Sequence, residues 1–109
     1  MRAICLLLWL SMSISAGELT GYISDEPCGW NNARPGKEAK ECAVKCVKAG
    51  WQPVFVPDGK MNTYKVSDKK LVMPFVGDHV AVEGEIKNDI LVVKKVRLTP
   101  APNPPKKSR

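Results

Sequence analysis

The sequence predicts a small, mainly β protein: a barrel of five short strands accompanied by one helix. Two observations support this fold class. Segments rich in β-branched and aromatic residues recur five times between turn signals, and each has about the usual length of a strand. Only one segment, residues 38–48, has the apolar spacing of an amphipathic helix. Short strands in so small a domain favour a strongly curved, OB-like barrel, and a flatter α+β sandwich is the alternative.

The chain begins with a segment typical of a secretory signal. Arg2 supplies the positive charge, residues 3–10 are apolar, and the small residues Ser15, Ala16 and Gly17 follow. The apolar run is shorter than the roughly 20 residues that span a bilayer. We therefore predict that residues 1–16 are a signal peptide, that the protein is secreted or periplasmic, and that the mature chain has no transmembrane span.

Strands are predicted at residues 19–24, 51–56, 61–66, 79–86 and 90–98. The second and third are joined by the turn Pro57-Asp58-Gly59. Alternation predicts that one face of the fourth strand carries Val80, Val82 and Ile86, with Gly84 marking a bulge or a close backbone approach. In the fifth strand the residues expected in phase are Ile90, Val92, Val96 and Leu98. The link around Pro74 is expected to be irregular.

The predicted helix has its apolar residues at positions i, i+3, i+4, i+7 and i+8, which are Ala39, Cys42, Ala43, Cys46 and Val47. This spacing predicts that Cys42 and Cys46 share the buried face. Glutamates near the start and lysines near the end suit the helix dipole, and Gly50 is a natural C-terminal stop.

The barrel domain is thus predicted to span residues 17–98, and residues 99–109 to form a disordered, proline-rich basic tail. The whole chain has 17 Lys and Arg against 11 Asp and Glu. Loss of Arg2 with the signal leaves 16 − 11 = +5. A basic exported protein tends to meet an anionic envelope surface or an oligosaccharide, whereas nucleic acid is not expected in this compartment. The alternative is that the charge only keeps the protein soluble, without a specific anion site.

Three cysteines remain after the signal: Cys28, Cys42 and Cys46. In an oxidising compartment one disulfide, from Cys28 to Cys42 or to Cys46, is the first expectation. It would close a loop of about 15–19 residues and stabilise the fold by about 3 kcal/mol. The alternatives are a site for zinc or copper, and plain buried thiols.

Several motifs resemble those of a group of small exported bacterial proteins of unknown function. They are residues 21–25 (G-Y-I-S-D) with Cys28-Gly29, residues 41–48 (E-C-A-V-K-C-V-K), residues 53–56 (P-V-F-V) and residues 77–84 (G-D-H-V-A-V-E-G). The resemblance covers most of residues 20–98 and implies an OB-like barrel outside the cytoplasm, without implying an activity. Where that group has a histidine after Cys-Gly, this chain has Trp30-Asn31-Asn32.

No spacing of residues indicates a catalytic triad, a phosphate-binding glycine loop or a paired-carboxylate site. We therefore expect a non-catalytic binding or structural module, with a metal- or thiol-handling protein as the alternative. Trp30 and Trp51 are expected in the core or capping the barrel, and His79 on the surface. The predicted binding face comprises Tyr22, Phe55, Tyr64 and Phe75 with Lys60, Lys65 and Lys69.

Overall fold

The computed structural model describes residues 17–101. The predicted signal peptide and residues 102–109 of the predicted tail lie outside this range. Five strands are present: β1 Glu18–Asp25, β2 Pro53–Pro57, β3 Tyr64–Val66, β4 His79–Lys87 and β5 Ile90–Leu98. The helices are α1 Lys37–Lys48 and the short α2 Lys69–Val72, with 3-10 helices at Gly29–Asn32 and Met73–Phe75.

The five strands close into a barrel in the order β1-β2-β3-β5-β4, with β4 returning to β1. All neighbours are antiparallel except β3 and β5, which are parallel. Closure leaves no exposed sheet edge, which is how small β domains avoid edge-to-edge association. The predicted small OB-like barrel is confirmed.

The barrel interior is filled by large apolar side chains from four strands, among them Ile23, Phe55, Val80, Val82 and Leu91, all with no exposed area. Burial of such side chains is the main stabilising term of a small domain. Pro53 begins β2 and is buried, a position where its missing N–H is tolerated. Among the described residues, no helix is both long and apolar enough to cross a membrane.

The bulge predicted at Gly84 is present, and it overturns the predicted phase of the first half of β5, where Ile90 and Val92 were expected to face inward, while Val96 and Leu98 keep the predicted phase. Glu83 pairs with Lys95 while Gly84 pairs with Val93, so β5 carries an extra residue at this point. The inward side of β5 is therefore Leu91 and Val93 before the bulge and Val96 after it, while the predicted Ile90 and Leu98 are exposed. Ile86 of β4 keeps the predicted phase, since it pairs with the buried Leu91, but it lies next to the end of the strand and is exposed, against prediction.

Helix α1 forms where predicted, but its buried face is rotated. Ala39 and Ala43 are buried, and both Val44 and Val47 pack against the core. Because successive residues are 100° apart around a helix, a stripe that includes Val44 moves away from Cys42. The prediction that Cys42 is buried is wrong: it is exposed, and Cys46 is half-buried. The link around Pro74, predicted to be irregular, contains α2 and a 3-10 helix.

Candidate functional site

An open cleft of about 700 Å³ lies where β1 and β4 meet the start of α1. Four stretches of chain line it besides Tyr22: residues 35–37, Lys40, residues 77–79 and residues 98–101. We call it the Tyr22 cleft. Its walls combine the first turn of a helix, the loop before β4 and the segment that leaves β5. A volume of this size accommodates a small-molecule ligand.

Tyr22 lines this cleft and carries a buried polar group. Its side chain is 5 % exposed, and its hydroxyl has no hydrogen-bond partner among the described residues. The ring packs edge-on against His79, with 4.9 Å between centroids and 67° between planes. Burial, and secondly the negative charge of Asp58, raises the pKa of Tyr22. The phenol therefore keeps its proton and is a donor that lacks an acceptor.

His79 was predicted to be an ordinary surface residue, and this is wrong, because it is 8 % exposed. Its Nε2 lies 2.9 and 3.0 Å from the two carboxylate oxygens of Asp58, and its Nδ1 lies 3.1 Å from the carbonyl oxygen of Thr99. Both neighbours are acceptors, so both hydrogen bonds form together only when the ring carries two protons. The Pro57-Asp58-Gly59 turn and the segment after β5 cover a position that strand alternation alone assigns to the surface.

The contacts of Asp58 and Thr99 fix this arrangement. Thr20 Oγ1 donates to Asp58 Oδ2 at 2.7 Å, and the Asp58 N–H donates to the Thr20 carbonyl at 3.0 Å. The Thr99 N–H donates to the His79 carbonyl at 3.1 Å, so this segment is bonded to His79 twice. One wall of the Tyr22 cleft is thereby tied to β4.

The start of α1 forms the opposite wall. Its N-cap is Gly36, with φ of 122°, and no side chain caps the first turn. The first N–H groups of a helix have no intrahelical acceptor, and the helix dipole makes that end positive. Lys40 Nζ lies 2.7 Å from Asp78 Oδ1. Gly77 lets the two approach, because a Cβ there would lie 2.5 Å from Lys40 Cγ.

The predicted aromatic and basic face does not form. Phe55 is fully buried in the core, Tyr22 is buried, and Tyr64 and Phe75 pack partly buried against the core. Only the lysines of that set are exposed, namely Lys60, Lys65 and Lys69. The aromatic side chains are needed inside so small a barrel. Of the predicted face, only Tyr22 lines the Tyr22 cleft.

The two tryptophans also depart from prediction, since Trp30 is 47 % exposed and Trp51 is 51 % exposed. Trp30 belongs to a 3-10 helix whose buried residues are Gly29 and Asn32. The tight turn therefore directs the small and polar residues inward and the tryptophan outward.

The cysteines gather around Asp25, which is fully buried at the end of β1. Its Oδ2 accepts from the Cys28 N–H at 3.0 Å and its Oδ1 from Asn32 Nδ2 at 2.8 Å. Burial, then Asp25 and Cys42, raises the pKa of Cys28 to about 11. Burial, then Asp25 and Cys42, also raises the pKa of Cys46. We call Cys28, Cys42, Cys46 and Asp25 the thiol cluster.

The disulfide expected from Cys28 to Cys42 or Cys46 is not formed, because all three cysteines are free and no sulfur pair lies at bonding distance. Within residues 17–101, no three or more histidine, cysteine, aspartate or glutamate side chains are arranged to hold a metal ion.

Comparison with known proteins gives no relative for this chain: no family model, curated protein or solved structure matches it. Function is therefore inferred from the chemistry of the Tyr22 cleft and the thiol cluster.

Proposed function

We propose that the protein is an exported, non-catalytic binding module whose ligand occupies the Tyr22 cleft. The observation that carries this proposal is a cleft of about 700 Å³ whose wall includes Tyr22, a residue with a buried hydroxyl that lacks a partner among the described residues. Buried polar groups are nearly always hydrogen-bonded, and leaving one unpaired costs about 1–3 kcal/mol. A ligand acceptor would remove that cost if binding turns the hydroxyl toward the cleft, because in the free protein the hydroxyl has almost no accessible area.

An oligosaccharide suits the rest of the cleft. Pro35, Leu98 and Pro100 are exposed on its walls and offer apolar surface, while backbone N–H groups and lysines offer donors. Sugars present both apolar ring faces and many acceptor oxygens. The predicted signal peptide supports a ligand that is met outside the cytoplasm, on the cell envelope or in the medium.

The state of His79 supports a binding role over a catalytic one. A general base needs a ring nitrogen that can reach a substrate proton. Both nitrogens of His79 are already engaged, one by Asp58 and one by Thr99, and the ring is 8 % exposed. Each ring nitrogen therefore faces a protein acceptor, which favours a structural role for His79 over proton transfer.

The test is a titration of ¹⁵N-labelled secreted protein with maltohexaose and with sulfated maltohexaose, followed by backbone amide shifts. We expect at least one of the two to move the amides of Gly36, Gly77 and Thr99, which surround the cleft. The amide of Lys65, on the exposed part of β3, serves as the internal control. If neither sugar moves the cleft amides, or if both move only distant ones, the proposal is wrong.

A second candidate function is metal or thiol handling by Cys28, Cys42 and Cys46. It is favoured by one observation: the thiol cluster crowds three sulfurs around a carboxylate, and burial, then Asp25 and Cys42, raises the pKa of Cys28 and Cys46. A zinc or copper(I) ion is the kind of charge that would relieve this crowding. Any such ion would have to draw the side chains together, since they are not arranged for one.

Metal analysis of the purified protein tests this second candidate. We expect about one zinc or copper per chain in native mass spectra, and a lower melting temperature after a chelator is added. The variant Cys28→Ser should lose the metal. This second candidate would be excluded if the protein carries no metal after incubation with zinc or copper(I) and all three thiols react with an alkylating agent.

A further inference from the structure

We propose that His79 is a pH-sensitive latch for residues 99–101, which we call the strap. The ring holds the strap against the barrel when it carries two protons and releases it when it loses one. The strap belongs to one wall of the Tyr22 cleft, so this wall is fixed in acid and freed toward neutral pH. The latch goes beyond the proposed binding role and does not depend on which ligand the cleft takes.

The strap has few attachments to the barrel, and His79 provides them. The Thr99 N–H donates to the His79 carbonyl at 3.1 Å, and the Thr99 carbonyl oxygen lies 3.1 Å from Nδ1 of the ring. Pro100 has no N–H to donate. Among the described residues, no other hydrogen bond holds the strap, and Pro100 and Ala101 are exposed. The contact between Nδ1 and the Thr99 carbonyl is therefore the last polar contact before the chain leaves the barrel.

The ring lies between two acceptors, and this makes the contact with the strap depend on protonation. Nε2 lies 2.9 and 3.0 Å from the two carboxylate oxygens of Asp58. A neutral ring has one N–H and can donate to only one of its two neighbours. A carboxylate is a stronger acceptor than a carbonyl, so the remaining proton stays on Nε2. The lone pair of Nδ1 then faces the Thr99 carbonyl oxygen, and this repulsive contact releases the strap.

The groups around the ring leave His79 as the one that responds near neutral pH. The titratable groups beside it or along the same cleft are Tyr22 on β1, Asp58 after β2, Lys37 and Lys40 on α1, and Asp78 before β4. Tyr22 packs edge-on against the ring, and its raised pKa keeps it neutral here. Lys40 and Asp78 pair with each other at 2.7 Å. Histidine is the side chain that ordinarily changes charge between about pH 5 and 8, and His79 is the only one in the chain.

The test is a titration of ¹³C,¹⁵N-labelled secreted protein from about pH 5 to 8. Long-range ¹H–¹⁵N spectra report the protons on both ring nitrogens, and the ¹³C shift of the Thr99 carbonyl reports its hydrogen bond. We expect the ring to pass from the doubly protonated form to the form with its proton on Nε2, while the Thr99 carbonyl signal moves with the same midpoint. The order parameter of the Ala101 amide should fall from about 0.85 to below about 0.6 over this range.

Asp58→Asn is the variant that separates the latch from a merely structural contact. Asparagine can donate from its amide nitrogen to Nε2, so a neutral ring can carry its proton on Nδ1 and keep the bond to Thr99. The strap of this variant should stay ordered across the whole titration. The matched control is Asp78→Asn, which removes a carboxylate of the same cleft that bonds Lys40, and it should keep the pH dependence of the parent protein.

His79→Gln removes the titrating ring and controls for other groups, including the α-amino group of the mature chain, which ordinarily titrates near pH 8. Its strap should not change between about pH 5 and 8. If this variant does not fold, as judged by far-ultraviolet circular dichroism, the parent titration and Asp58→Asn decide the question.

Four results would overturn the latch. They are a neutral ring with its proton on Nδ1, a ring that stays doubly protonated throughout, a strap whose order does not change while the ring titrates, and a strap that responds in His79→Gln as it does in the parent protein. The sugar titrations decide separately. Cleft amides that move with a sugar in protein whose strap ignores pH leave the proposed function standing, and a working latch in protein that binds neither sugar leaves this inference standing.

Discussion

Replacing Tyr22 by phenylalanine should make the free protein more stable. The change removes only the hydroxyl, which is buried and has no partner, and it keeps the ring that packs at 4.9 Å against His79. An unpaired buried hydroxyl costs about 1–3 kcal/mol. We take the lower end, because the ring must still fill the same space, and expect the free energy of unfolding to rise by about 1 kcal/mol. For a domain of this size that corresponds to a melting temperature higher by about 4–8 °C.

Urea denaturation followed by far-ultraviolet circular dichroism measures this change. The midpoint should move to higher urea while the slope of the transition stays constant, because the surface exposed on unfolding is nearly the same. Tyr64→Phe is the matched control: Tyr64 is the other tyrosine of the chain and is partly buried, and its hydroxyl is not among the buried unpaired groups. Its loss should change stability by less than about 0.5 kcal/mol.

A fall in stability of more than about 1 kcal/mol in Tyr22→Phe would refute this reasoning, because it would mean that the hydroxyl makes a stabilising hydrogen bond in the free protein. The expected combination is a more stable protein that binds more weakly. Residues that bind a ligand often lower the stability of the free protein, and Tyr22 would be such a residue.

Three further predictions concern other parts of the fold. The pKa of Cys28 is raised to about 11 from 9.0, so iodoacetamide should label it more slowly at pH 8 than it labels a free thiol. For the same reason, thermal melts should show that the stability of the protein falls as the pH rises from about 9 to 11. Gly84→Ala should destabilise by at least about 2 kcal/mol in urea titrations, since its Cβ would clash with the Val92 carbonyl oxygen. Val47→Asp should lower the melting temperature far more than Lys45→Asp, because Val47 packs against the core; equal losses would mean that the wrong helix face is assigned.

Strand positions and the barrel could be predicted from the sequence because they depend on local patterns. Alternation and turn residues place β4 and β5 within a residue or two, and the glycine in β4 predicts the bulge. The inward phase of β5 could not be predicted. Leu91, Val92 and Val93 are apolar in succession, so either phase fits, and only the extra residue opposite Gly84 decides which side faces inward.

The Tyr22 cleft could not be predicted, since it is built from segments far apart in the chain. Tyr22 and His79 are neighbours across the β1–β4 pair, and Thr99 reaches them only because β5 ends beside that pair. Strand alternation correctly placed His79 on the outward face of β4, but the prediction that its side chain is exposed was wrong. The turn at Asp58 and the segment at Thr99 cover that face, and no local pattern indicates this covering.

The two tyrosines of the chain permit the most direct test of a ligand at the Tyr22 hydroxyl. Protein labelled with ¹³C at the tyrosine Cζ should give one signal for Tyr22 and one for Tyr64, and this carbon responds to hydrogen bonding at the attached oxygen. On titration with sulfated maltohexaose we predict that the Tyr22 signal moves saturably, in parallel with the Gly36 amide, while the Tyr64 signal stays in place. A Tyr22 signal that does not move while the sugar binds elsewhere on the barrel would contradict the central claim.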